Sequence, residues 1–83
     1  MQRHLVVYLQ QIGNNVRKVR DMRGVSQQEL ADNCDVAKST IQRIEKGGMN
    51  PSIITLVKIS ITLDVELSEL TGNTLKPFKT TIK

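Results

Sequence analysis

Lys38, Ser39, Gln42, Arg43 and Lys46 follow one another at steps of one, three, one and three, so a helix would carry all five on one face. Each of these side chains donates hydrogen bonds, and none can act only as an acceptor. Such a face suits a groove lined with acceptors, as nucleic-acid base edges are. No comparable set of residues would support catalysis. The chain has one histidine, His4, and one cysteine, Cys34, with no carboxylate pair on a common face and no glycine-rich phosphate loop. One cysteine also excludes a disulfide or an all-cysteine metal site within one chain, and suits a reducing compartment. A binding protein without cofactor or metal is expected, not an enzyme.

Charge and size agree with that expectation. The net charge is +4, and its placement says more than its total. Arg17, Lys18, Arg20, Arg23, Lys38, Arg43 and Lys46 lie in the first half, whereas Lys58 stands against Asp64, Glu66 and Glu69 in the second. Lys76, Lys79 and Lys83 add positive charge at the end. A polyanionic partner is favoured. The 83 residues fit one domain. A domain of that size buries only about 60–65% of its unfolded surface, so association of two copies would add to a modest stability. The opening MQRHLVVYLQQIG is too short an apolar stretch for a signal peptide, and no run is long enough to span a bilayer. The expected location is the cytoplasm, where binding to nucleic acid would place it at the nucleoid.

Five helices are predicted to position the donor face. Leu5, Leu9, Ile12, Val16 and Val19 recur at helical spacing, which predicts a first helix from about residue 5 to Arg23, stopped by Gly24. Gln10, Gln11, Asn14, Asn15, Arg17, Lys18 and Arg20 fall on its polar face. Gly13 inside this helix costs about 1 kcal/mol relative to alanine, which a close backbone approach by another helix would justify. Ser26-Gln27-Gln28-Glu29 reads as a capping box opening a short second helix that buries Leu30, Ala31 and Cys34. Asp35-Val36 follows as a tight turn, aspartate being a type that tolerates a left-handed backbone. A third helix over about 38–46 turns Ile41 and Ile44 inward and ends at Gly47-Gly48. Ser52 caps a fourth, with Leu56, Val57, Ile59, Ile61 and Leu63 as its apolar residues. A fifth, about 66–71, buries Leu67 and Leu70. Residues 5–72 form the domain, and 73–83 a basic, flexible tail.

Two short helices joined by a tight turn, with a small residue (Ala31) where they cross at a steep angle, make a helix-turn-helix. SQQELADNCDVAKSTIQRIEKGGMNPS is similar to the signature of the lambda-repressor and Cro-like helix-turn-helix family, also called the XRE family. The matching elements are Ser26-Gln27-x-Glu29-Leu30-Ala31, Ser39-Thr40-Ile41-x-x-Ile44-Glu45-x-Gly47 and Asn50-Pro51-Ser52. Arg20 and the Leu56…Leu63-x-Val65…Leu70 ending extend the resemblance over roughly residues 9–72.

The resemblance implies an all-α, five-helix lambda-repressor-like domain that reads double-stranded DNA as a transcription regulator, most often a repressor. It implies that residues 37–46 form the recognition helix. Ala37, Lys38, Ser39, Gln42 and Arg43 then hold base-contact positions, with arginine or lysine suited to guanine and Ala37 to a thymine methyl. Gln27, at the start of the second helix, corresponds to a phosphate anchor. Thr40 and Lys46 are phosphate contacts. Arg20 and Glu45 match a pair that clamps the first helix to the recognition helix, with Arg20 also near a phosphate. Cys34 holds an apolar core position. Three departures put inherited target preferences in doubt: Asp35 for the common turn glycine, Ala37 for a Ser or Thr cap, and Lys46 for a frequent asparagine.

One recognition helix reads too few base pairs for useful specificity, so a homodimer on a palindromic site, with half-sites about 34 Å apart, is expected. Ile53, Ile54, Ile61, Val65 and Leu67 exceed what one short helix pair can bury and are the candidate interface. The chain resembles the stand-alone phage or bacterial type, with regulation by concentration, by a protein partner (a toxin or anti-repressor) or by the tail. The alternative is an antitoxin or coactivator-like interaction module on the same fold. That alternative predicts apolar exposure on the first helix and unimportant Lys38 and Arg43.

Overall fold

The computed structural model describes residues 3–72. Over that span the chain forms α1 (Arg3–Arg23), α2 (Gln27–Cys34), α3 (Lys38–Glu45), α4 (Ile53–Leu63) and α5 (Leu67–Thr71), with no strand among the described residues. The expected tail, residues 73–83, lies outside them. All five predicted helices are present, their bounds within one or two residues of expectation.

Local chemistry starts and stops these helices. Ser26 Oγ accepts from the Glu29 amide at 3.0 Å while the Ser26 amide donates to the Glu29 carboxylate at 2.8 Å, so the capping box forms in full. Ser52 Oγ accepts from the Thr55 amide at 3.1 Å and opens α4. Ala37 stands at the start of α3 in an extended conformation and supplies no side-chain cap. At the other ends one device recurs four times. The chain turns left-handed at Gly24, Asp35, Gly47 and Asp64, with φ of 70°, 58°, 75° and 58°. In each case the following amide reaches back five residues, as Val25 to Arg20 O, Val36 to Ala31 O, Gly48 to Arg43 O and Val65 to Ser60 O. These are Schellman closures. Aspartate fills two of the four places, Asp35 in the helix-turn-helix and Asp64 before α5.

The closed helices bury one core of Val16, Leu30, Ala31, Cys34, Ile41, Ile44, Leu56, Ile59, Leu63 and Leu70. Two expectations need correction here. Leu5 is largely exposed, because the first turns of α1 run past the core, and the buried stripe begins at Leu9. Asn15, assigned to the polar face, is buried, and its Nδ2 donates to the Leu70 carbonyl at 3.0 Å. That bond satisfies a carbonyl in the last turn of α5 and ties α5 to α1. Val57 and Ile61 of α4 are exposed, so the inward face of that helix is Leu56, Ile59 and Leu63.

Candidate nucleic-acid interface

Donors on α3 can read a groove only if the helix stands proud of the protein and holds still. The face is exposed and the opposite side of the helix is anchored. Ala37, Lys38, Ser39, Gln42, Arg43 and Lys46 are exposed, Thr40 is half-buried, and Ile41 and Ile44 anchor the opposite face in the core. The predicted base-contact residues therefore lie together on one exposed face. Lys46 stands at the C-terminal end of that face, just past the helix.

Glu45 is the fixed point of the arrangement. Arg20 Nε donates to its Oε2 at 2.6 Å and Arg20 Nη2 to its Oε1 at 3.1 Å, a bidentate pair. The side chains retain 12% exposure at Arg20 and 4% at Glu45, so the pair is largely out of water. Arg20 Nη1 donates to the Val25 carbonyl at 2.9 Å and lies 3.3 Å from Asp21 Oδ1. The hydrogen bond to Glu45 holds the Arg20 guanidinium above its ordinary range, against the pull of burial, with the charges of Glu45 and Asp21 adding to the rise. Gln27 Nε2 donates to Glu45 Oε1 at 3.0 Å. One carboxylate thus joins α1, α2 and α3.

Two predicted phosphate contacts also bond within the protein. The Arg20 guanidinium is engaged by Glu45, Val25 and Asp21, the clamp expected of it. Gln27 is turned toward Glu45 as the third member of that clamp. Sequence reasoning could not find that role, because nothing in the spacing of Gln27 and Glu45 declares the contact. Arg17 is the residue it passed over. Arg17 lines a shallow groove with Arg20, Gln27, Gln42, Glu45 and Lys46, beside the start of α2. Its exposed side chain has a loose ion pair with Asp21 at 4.0 Å and lies on the same side as Lys46.

Other candidate sites are accounted for. Cys34 is fully buried, its Sγ 3.8 Å from Thr62 Oγ1, and burial pushes its thiol above the ordinary range despite that contact and the nearby Lys58 charge. Among the described residues no group of three or more His, Cys, Asp or Glu could hold a metal. No helix there is long and apolar enough to cross a membrane. The predicted interface divides: Ile53, Ile54 and Ile61 are exposed at 59%, 61% and 71%, and Val57 joins them. Val65 and Leu67 do not belong to that open face, being half-buried against the core.

Comparison with known proteins agrees with this geometry. The sequence model of the Helix-turn-helix family matches residues 16–70. The HTH-type transcriptional regulator SlrR of Bacillus subtilis is 45% identical over 60 residues, covering 71% of this chain and 40% of SlrR. SinR of Bacillus subtilis is 42% identical over 60 residues, covering 71% of this chain and 54% of SinR. A crystal structure of SinR in complex with DNA superimposes with a TM-score of 0.67, over 71% of this chain and 95% of that one. SinR has also been solved in complex with the SinI protein, with a TM-score of 0.70 and 38% identity, over 80% of this chain and 68% of that one. The restriction-modification controller protein C.AhdI of Aeromonas hydrophila is 32% identical with a TM-score of 0.72, over 75% of this chain and 94% of that one. The chain spans about half the length or less of the two curated regulators. A recognition helix clamped through Arg20 and Glu45, and a family match over most of the core, make this chain a member of the helix-turn-helix family, with the lambda-repressor-like fold.

Proposed function

We propose that the chain is a sequence-specific double-stranded DNA-binding transcription regulator, acting as a repressor in the cytoplasm without catalysis or cofactor. The observation that carries the reading is the exposed donor face of α3, fixed at its base by the Arg20–Glu45–Gln27 clamp. Lys38, Ser39, Gln42 and Arg43 read base edges, with Ala37 against a thymine methyl, while Arg17, Thr40 and Lys46 meet phosphates. SlrR, SinR and C.AhdI, regulators or a controller protein by name, support the reading, as does the SinR–DNA complex. Selection from a randomised duplex pool tests it. A two-fold symmetric enriched site is expected, and enrichment of no sequence would overturn it.

The symmetric site requires a dimer, and Ile53, Ile54, Val57 and Ile61 on α4 supply its contact. These four side chains form the largest exposed aliphatic group on one described helix. Sedimentation of the wild type should show self-association that Ile54→Lys and Ile61→Lys abolish. A dissociation constant above about millimolar in solution would remove the dimer, since that is worth only about 4 kcal/mol.

A second reading has its own observation. Leu5 and Val7 on α1 are exposed, as a protein-interaction module such as an antitoxin would require. A protein partner, a toxin or an anti-repressor, is compatible with DNA binding, and SinR has been solved in complex with the SinI protein. If Lys38→Ala and Arg43→Ala leave every binding activity intact, the interaction module is the better account.

A further inference from the structure

The end of α3 sits on the backbone of α1 with almost nothing between them. A Cβ built on Gly13 would lie 2.3 Å from the Ile44 carbonyl oxygen and 2.8 Å from that of Glu45. A Cβ on Gly47 would lie 2.8 Å from Gln10 Cγ and 2.9 Å from Gln10 Cα. Ordinary contact at a Cβ begins near 3.4 Å, and at Gly13 every obstructing atom is backbone, so no side-chain rotation makes room. Gly24 has nothing within 4 Å of the corresponding position. The mid-helix glycine of α1 therefore stands where the last turn of the recognition helix comes closest.

We infer that Gly13, with Gly47 opposite, is a positioning residue for base readout: it sets the height of the C-terminal end of α3 and so aims Arg43. The inference rests on the DNA-reading proposal and adds what fixes the aim. The N-terminal half of α3 is held against α2 through the core shared by Ala31, Cys34 and Ile41. A methyl group on Gly13 would lift the other end by about 1 Å, and over a helix about 12 Å long that is a tilt of about 5°. Direct contacts tolerate displacements of about 0.5 Å, so Arg43 loses its base while Lys38 and Ser39, near the pivot, keep theirs. Attraction between lysine or arginine charges and phosphates is far less sensitive to such a shift.

The test uses the full chain and the duplex enriched by the wild type. Dissociation constants are measured on that duplex and on a scrambled one, with base preferences at each position, for wild type, Gly13→Ala and Gly24→Ala. Gly24→Ala is the control, since its φ of +70° strains an alanine far from any neighbour. Gly13→Ala should lower the ratio of specific to scrambled affinity about tenfold, the worth of one base contact. The relaxed position should be the one that Arg43→Ala relaxes, while Gly24→Ala keeps the wild-type ratio. A folded Gly13→Ala that keeps the ratio, or relaxes the site evenly, overturns the inference. Should Gly13→Ala not fold by circular dichroism, Gly47→Asn, which tolerates the left-handed turn, is expected to give the same selective loss. Failure of both to fold would make the contact a folding requirement and overturn it as well. No enriched site for the wild type would instead sink the DNA-reading proposal, and this inference with it.

Discussion

Glu45 shows how far one side chain can carry a site. It is buried, and it accepts from Arg20 twice and from Gln27 once. Removing one partner of such a pair strands the other charge out of water. Glu45→Ala should therefore cost about 3 kcal/mol in denaturant unfolding, and the double variant Arg20→Met with Glu45→Leu distinctly less. Equal losses for the two would show that the pair contributes through packing alone. Cys34 gives a second residue-scale prediction, with a sign. Its folded pKa is raised by burial, so the unfolded state loses the thiol proton first as pH increases. The contribution to stability is full below the unfolded thiol's pKa, about 8.5, and declines as pH climbs from there toward the folded value. In native protein the thiol should resist a disulfide exchange reagent until the chain unfolds; rapid labelling would contradict its burial.

At the scale of elements, the ends of the helices were the most legible part of the sequence. Ser26 with Glu29, Ser52, Gly24 and Gly47 each announce a cap by residue type, and Asp35 announces a left-handed turn. Asp64 performs the same turn and passed unread, although Leu63-Asp64-Val65 repeats the pattern of Cys34-Asp35-Val36. Ala37 and Asp35 are the two suboptimal choices in the helix-turn-helix. Ala37→Ser should raise stability by about 1 kcal/mol by capping α3. Asp35→Gly should also raise the melting temperature, because glycine takes a φ of 58° without a Cβ penalty. A lower melting temperature for either would mean that the present residue makes a contact the caps do not explain. Helical periodicity misplaced Asn15 for a physical reason. Position 15 borders the apolar stripe beside Ile12 and Val19, and an amide is admitted to the core there because Leu70 leaves a carbonyl to satisfy. Which partner that carbonyl would find is a matter of α5 docking, and no local pattern encodes it. The same holds for Gln27, whose role depends on where α3 ends relative to α2.

The described residues form a small core that carries a polar face on one helix and, on another, its broadest apolar face. The polar face is α3, and the apolar one is Ile53, Ile54, Val57 and Ile61 on α4. In the dimer proposed above, the two faces would divide the labour, reading and pairing. Their separation on different helices lets Ile61→Lys weaken self-association while leaving contacts within a half-site unchanged. The most direct test of the account compares Arg43→Ala with Lys46→Ala on the duplex enriched by the wild type, across a salt series. Arg43→Ala should cost about 1–3 kcal/mol and relax a single base position, whereas Lys46→Ala should weaken all sequences alike and lower the salt slope by about one. If both variants bind as the wild type does, or both lose affinity evenly on every sequence, α3 is not reading bases and the central claim is wrong.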